Sequence, residues 1–291
     1  MRSTGVVIPL YTYPTDDSWN ELVQVHASHP SVPTIAVINP SNGPGGSRDR
    51  EYVTGIENLK NAGITVLGYL YTKYGQRSRS SVESEASAYK RWYNTNGIML
   101  DEMSNTPGFE SYYSSVNDYV KSLGMTYTMG NPGTGVPSSF TGVLDCFVIY
   151  ENSGLPQLSV LQGFAGYEAS KLAYISYGVS KLDKAFETAS AAYVGWLYIT
   201  DAGLPNPYDE LPSYFRTEVA TLDTGTSTTA SKNPRDPGHN PPQAARTHRL
   251  PKPERRRTID TTTRVRRLTM HSRGFFSMWS STSENTNPAF G

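Results

Sequence analysis

Eight apolar runs of strand length recur along the chain, at residues 5–11, 33–39, 64–71, 96–104, 125–131, 145–151, 171–177 and 195–201. Helical patterns fill most of the intervals, at 16–26, 48–62, 80–94, 109–123, 181–193 and 209–222, and residues 157–164 lie between the sixth and seventh runs. A short helical or irregular link at 137–140 joins the fifth and sixth runs. Strands alternating with helices pair in parallel, through right-handed crossovers. Eight units in about 220 residues predict an α/β fold, a (β/α)8 barrel of the TIM type at the compact end of its range. An open, doubly wound sheet is the other architecture the alternation allows.

Local signals agree with this division. Asp16 or Asp17 is placed to cap the first helix, where Trp19, Leu22 and Val23 follow at helical spacing. Ser80 or Ser81 is placed to cap the third, and Gly63 and Gly124 to close the second and fourth. The Gly-rich stretch Asn42-Gly43-Pro44-Gly45-Gly46-Ser47 lacks both the Gly-Lys-Ser/Thr ending and the spaced glycines of a phosphate cradle. It reads as a turn before the second helix.

Charge divides the chain in two. Residues 1–224 carry 14 Lys and Arg against 22 Asp and Glu, a net −8. Residues 225–291 carry 12 against 4, a net +8. The acidic part disfavours nucleic acid and other polyanions. The basic part is Thr- and Pro-rich, includes Arg255-Arg256-Arg257, and has little apolar periodicity. It reads as a disordered tail: a solvated extension, a segment foreign to the natural protein such as a translated intron or frame error, or a polyanion-binding arm. The domain boundaries expected are therefore 1–224 and 225–291. No apolar run approaches the roughly 20 residues of a membrane span. No basic stretch followed by a signal-type apolar region opens the chain, so a cytosolic or already trimmed protein is expected, working as a monomer. Cys146 is the single cysteine, which excludes an intrachain disulfide and reads as a buried thiol.

The chemistry is expected where the runs end, because a parallel barrel places its active face at the C-terminal ends of its strands. Those ends read Tyr11, Asn39, Tyr71, Asp101-Glu102, Asn131, Glu151, Tyr177 and Asp201. A ring of carboxylates, amides and phenols suits a carbohydrate. One carboxyl group protonates the leaving oxygen of a glycosidic bond, and a second attacks or stabilises the oxocarbenium-like centre. Asp101, Glu102 and Glu151 are the candidates. Adjacent residues of a strand face opposite ways, so Asp101 and Glu102 have unequal roles, and one of them pairing with a loop Arg or Lys is the plainer alternative. Tyrosine faces would carry sugar rings, and Tyr74 and Tyr150 also lie near strand ends. Trp196 reads as core. His26 and His29 sit near the end of the first helix and the other three His in the tail, so neither a His-based metal site nor a Ser-His-Asp triad is supported. Three carboxylates could alternatively bind a divalent cation. No cofactor is called for.

Several motifs together resemble the spherulin-4-like family, glycoside hydrolase family 135. They are Val7-Ile8-Pro9-Leu10-Tyr11, Ile35-Ala36-Val37-Ile38-Asn39-Pro40 with the Gly-Pro-Gly loop, and Gly68-Tyr69-Leu70-Tyr71-Thr72. Gly97-Ile98-Met99-Leu100-Asp101-Glu102, Gly130-Asn131-Pro132-Gly133 and Tyr150-Glu151 follow in order. The resemblance covers residues 5–222 and none of the tail. It implies an endo-acting α-1,4-N-acetylgalactosaminidase on a (β/α)8 barrel, acting on fungal galactosaminogalactan. It further implies Asp101 as nucleophile or charge stabiliser, Glu151 as general acid/base and Glu102 in support. Family members are commonly secreted or on the cell surface. A non-catalytic carbohydrate-binding protein on the same barrel is the second reading. Electrostatic binding of a deacetylated, cationic polymer is the third.

Overall fold

Every residue of β1 (Gly5–Leu10), β2 (Thr34–Ile38) and β7 (Leu172–Tyr177) is buried. A strand buried on both faces needs helices over one side and packed side chains against the other, the situation of a parallel sheet. The computed structural model describes residues 4–223. The remaining strands are β3 (Thr65–Tyr71), β4 (Gly97–Asp101), β5 (Tyr127–Gly130), β6 (Cys146–Ser153) and β8 (Trp196–Ile199). All eight close into one barrel in sequence order, every neighbour parallel and β8 returning to β1. The expected barrel is therefore present. The expected tail, 225–291, lies outside the described residues.

Among the described residues, seven α-helices surround the strands: α1 (Asp17–Ser28), α2 (Arg50–Asn61), α3 (Arg79–Tyr93), α4 (Glu110–Ser122), α5 (Leu158–Gln162), α6 (Lys184–Ser190) and α7 (Phe215–Leu222). Asp16 caps α1 by accepting from the Ser18 N–H at 2.9 Å. Ser78, rather than Ser80 or Ser81, caps α3. Two helices are much shorter than their patterns. The 181–193 pattern contracts to α6, because Asp183 takes the cap and accepts from Ala185 and Phe186. The 209–222 pattern contracts to α7. Pro212 lies inside it and biases Leu211 away from helical geometry, so the helix starts only beyond.

Close packing explains two strand glycines. A Cβ on Gly68 would meet the ring of Tyr89 at 2.6 Å, and one on Gly97 the carbonyl oxygen of Tyr127 at 1.9 Å. Cys146 is buried at the start of β6, and burial pushes its thiol up to about 12. Trp196 is partly buried and packs edge-on against Tyr127 across the barrel interior. No described helix is long and apolar enough to cross a membrane.

One irregularity positions the site. Partners across the β6–β7 ladder run Val148 to Ala173, then Tyr150 to Tyr174 and Glu151 to Ile175. Ile149 is thus an extra residue in β6. Cross-strand partners share a face, and Tyr174 points outward, its hydroxyl paired with Ser190 of α6 at 2.9 Å. Glu151, opposite Ile175, therefore points inward. Strict alternation from inward-facing Val148 would have turned it out among the helices.

Candidate active site

Asp101 ends β4 facing the barrel interior. Its Oδ2 accepts from the Tyr69 hydroxyl at 2.8 Å and its Oδ1 from the Asn131 side-chain amide at 2.9 Å. The same amide nitrogen donates to Glu151 Oε2. The other Glu151 oxygen accepts from the Tyr208 hydroxyl. Asn131 is itself fixed, since its Oδ1 accepts from the Gly133 N–H at 2.9 Å. One amide group thus bridges two carboxyl groups from strands β4 and β6, and two tyrosine hydroxyls hold their outer oxygens. The N–H bonds of an amide diverge by 120°, which puts the two bridged oxygens about 5 Å apart at ordinary hydrogen-bond length.

Burial dominates the electrostatics. It raises both carboxyl groups above the ordinary range. For Asp101, hydrogen bonds from Tyr69, the Glu102 backbone and Asn131 work in the opposite direction. Glu151 is pushed up to about 7 by burial and then by the charge of Asp101, with Tyr208 and Asn131 offsetting part of that rise. Two carboxylates this close in a low-dielectric pocket do not both ionise readily, so they divide into one acid and one base.

The backbone after Asp101 is unusual. Glu102 adopts φ 47°, a left-handed conformation that costs a non-glycine residue about 1–3 kcal/mol. The β3–α3 loop holds it there. Thr72 donates its N–H to the Asp101 carbonyl at 2.8 Å and its hydroxyl to the Glu102 carbonyl at 2.8 Å. The Tyr74 N–H reaches the same Glu102 carbonyl at 2.7 Å. Behind them, buried Tyr113 pairs with the Thr72 hydroxyl at 3.0 Å and accepts from the Ser104 N–H at 2.7 Å. This turn removes Glu102 from the strand and separates it from Asp101. Burial and then the Asp101 charge raise the Glu102 carboxyl, with Lys73 and Arg77 offsetting part of that rise. Arg77 pairs instead with Glu85 at 2.5 Å and lies over the Tyr71 ring at 4.2 Å.

Of the strand-end residues, the structure brings Tyr11, Asp101, Asn131 and Glu151 together. Tyr11 packs edge-on between Tyr69 and Tyr208, with ring centroids at 5.7 and 5.6 Å. Tyr177 borders the group, and the Glu151 charge adds to burial in raising its hydroxyl. Asn39 uses its Oδ1 to accept from the Gly43 N–H at 3.0 Å, shaping the Gly-rich turn. Tyr71 packs under Arg77. Asp201 turns away and accepts from the backbone and hydroxyl of Ser213, holding the β8–α7 segment. Among the described residues no group of three or more Asp, Glu, His or Cys side chains is arranged to hold a metal ion.

Two residues of this group carry no strand-end signal. Tyr69 lies two positions before Tyr71 and shares its face of β3, which alternation alone could have marked. Tyr208 comes from the β8–α7 segment, and no local pattern points it at Glu151.

Comparison with known proteins gives this geometry a context. Residues 5–222 match the spherulation-specific family 4, Spherulin4. Spherulin-4 of Physarum polycephalum is 30% identical over 235 residues, covering 75% of this chain and 69% of its own. The barrel is similar to that of Aspergillus clavatus Sph3, whose crystal structure is a complex with GalNAc. That likeness has a TM-score of 0.68 at 23% identity and covers 77% of this chain and 98% of Sph3. The extent of the family match, across the whole described barrel, shows that the chain belongs to the spherulation-specific family 4.

Proposed function

We propose that this protein is an endo-acting glycoside hydrolase that cleaves α-1,4 bonds of N-acetylgalactosamine or galactosamine polymers, with retention of configuration. The observation that carries the reading is the pair Asp101 and Glu151, bridged by one Asn131 amide and part-buried at the C-terminal face of the barrel. Retaining glycosidases hold their carboxyl groups about 5–5.5 Å apart, whereas inverting ones leave roughly 6.5–9.5 Å for a water. With their bridged oxygens about 5 Å apart, the pair is assigned to the short class. The GalNAc complex of Sph3 supports the choice of sugar.

In the first step Glu151, protonated near neutral pH, gives its proton to the glycosidic oxygen as that bond breaks. Asp101 Oδ1 or Oδ2 attacks the anomeric carbon and forms a glycosyl ester. In the second step Glu151, now a carboxylate, takes a proton from water, and the water oxygen displaces Asp101 from the same carbon. Hydrogen bonds from Tyr69 and Asn131 stabilise Asp101 in its ionised, nucleophilic form. Incubation with an α-1,4-N-acetylgalactosamine polymer should release oligosaccharides whose new reducing ends appear first as the α-anomer by NMR. A first-formed β-anomer would overturn retention. Binding without release would make the protein a non-catalytic carbohydrate binder.

Tyr208→Phe tests the acid assignment. The Tyr208 hydroxyl stabilises ionised Glu151, so its loss raises the Glu151 carboxyl. The alkaline limb of kcat/KM, near 7 in the unmodified protein, should move to higher pH. A limb that stays fixed, or moves down, removes Glu151 from the role of acid.

A further inference from the structure

Among the described residues, the exposed large hydrophobic side chains are Tyr13, Tyr74, Val160 and Leu204. Tyr13, Tyr74 and Leu204 sit in segments that leave the C-terminal ends of β1, β3 and β8, on the same face as Asp101 and Glu151. Tyr13 is tied back, its hydroxyl donated to Asp49 at 3.1 Å. Tyr74 is 48% exposed, and its hydroxyl has no hydrogen-bond partner among the described residues. It also stands beside the turn that follows Asp101, its N–H bonded to the Glu102 carbonyl at 2.7 Å, and burial, then the Glu102 and Asp101 charges, raise its hydroxyl.

The segment carrying Tyr74 is held from all sides. Lys73 and Tyr74 take left-handed φ values of 50° and 54°, against 47° for Glu102. The Tyr74 N–H is bonded to Glu102, and the Gly75 and Arg77 N–H groups to the Thr72 carbonyl at 3.1 Å each. Gly75 is crowded by Phe109, whose ring a Cβ there would meet at 2.4 Å. The Tyr112 hydroxyl holds the Arg77 carbonyl at 3.0 Å. Such bonding fixes the backbone and leaves the ring in solvent, so a ligand that covers it pays no loop-ordering cost. Strained backbone concentrates where a site needs fixed geometry.

We propose that Tyr74 is the floor of a sugar-binding subsite beyond the cleavage pair. It takes the apolar face of one pyranose ring of the polymer, with Glu102 and Lys73 flanking that ring's polar substituents. The assignment rests on the glycan-processing reading above. It makes Glu102 a binding group of the subsite, distinct from Asp101, which agrees with the turn that removes it from the strand.

The test is the affinity of the unmodified chain, Tyr74→Phe and Tyr74→Ala for an α-1,4-N-acetylgalactosamine oligosaccharide, measured calorimetrically with Asp101→Asn added to each to prevent cleavage. Tyr74→Ala should bind about 3- to 10-fold more weakly, the range of a lost aromatic contact. Tyr74→Phe, which keeps the ring, should bind within about twofold of the parent. Equal affinity of Tyr74→Ala and the parent overturns the subsite, and release of oligosaccharides by the unmodified protein would leave the hydrolase reading standing. Weaker binding by Tyr74→Ala, with no release by the unmodified protein, supports the subsite and overturns the hydrolase reading instead.

Discussion

Asp101→Asn should lower turnover of an α-1,4-N-acetylgalactosamine oligosaccharide by at least about 10⁴-fold, the loss typical of a removed nucleophile. Glu151→Gln should lower it by about 10²–10⁴-fold, the contribution of a general acid. The leaving group separates the two roles. An aryl glycoside with an acidic phenol departs without protonation, so Glu151→Gln should form the glycosyl ester from it at close to the normal rate and then stall. Asp101→Asn should fail with both substrates. The amide substitutions keep side-chain shape in a pocket where burial already disfavours charge, so thermal unfolding midpoints should hold. Rapid-quench measurement of phenol release reads the difference. Equal losses on the aryl substrate would mean that the two carboxyl groups do not divide the reaction as assigned.

The second large effect concerns stability. Glu187 of α6 and Glu218 of α7 are both fully buried at the outer side of the barrel. Among the described residues, neither Glu187 oxygen meets a well-formed donor, and only one Glu218 oxygen does, accepting from the Ile199 N–H at 2.8 Å. Burial pushes Glu187 up to about 8, with Thr221 and Lys184 offsetting part of the rise. Burial and then the Glu187 charge raise Glu218 well above the carboxylate range. A raised carboxyl binds its proton more tightly in the folded chain than in the unfolded one. Its contribution is therefore full below the unfolded value near 4.5 and is lost as pH climbs towards 8. For Glu187 the loss between pH 4.5 and 7 is on the order of 3 kcal/mol. Glu187→Gln carries no proton to lose. It should unfold at a higher denaturant concentration than the parent at pH 8, and the gap should close at pH 5. A gap that is constant with pH would show that Glu187 is not held neutral by the fold.

These two carboxylate pairs differ in how far the sequence exposed them. Asp101 was legible because an apolar run stopping at an acid is a local pattern, and hydrophobic burial drives such a run into the sheet wherever it lies in the chain. Asn131 was legible in the same way, as a polar residue that ends an apolar run. Glu187 and Glu218 were not, since each sits in a short helix whose pattern gives no sign that two acids from different helices will share one buried space. Asp201 shows the converse. It stands at a strand end, yet it follows outward-facing Ile199 in register and is engaged by Ser213.

The sequence by itself determined the eight strands, the helices between them and the ring of polar strand ends, because apolar periodicity and burial act over a few residues at a time. Tertiary structure decided which of those ends meet. Glu151 faces the pocket only because Ile149 is an extra residue against β7, and an extra residue is defined by the partner strand's register. Tyr208 reaches Glu151 from a segment 57 residues away. Neither fact has a local cause, so neither could be read before the barrel closed.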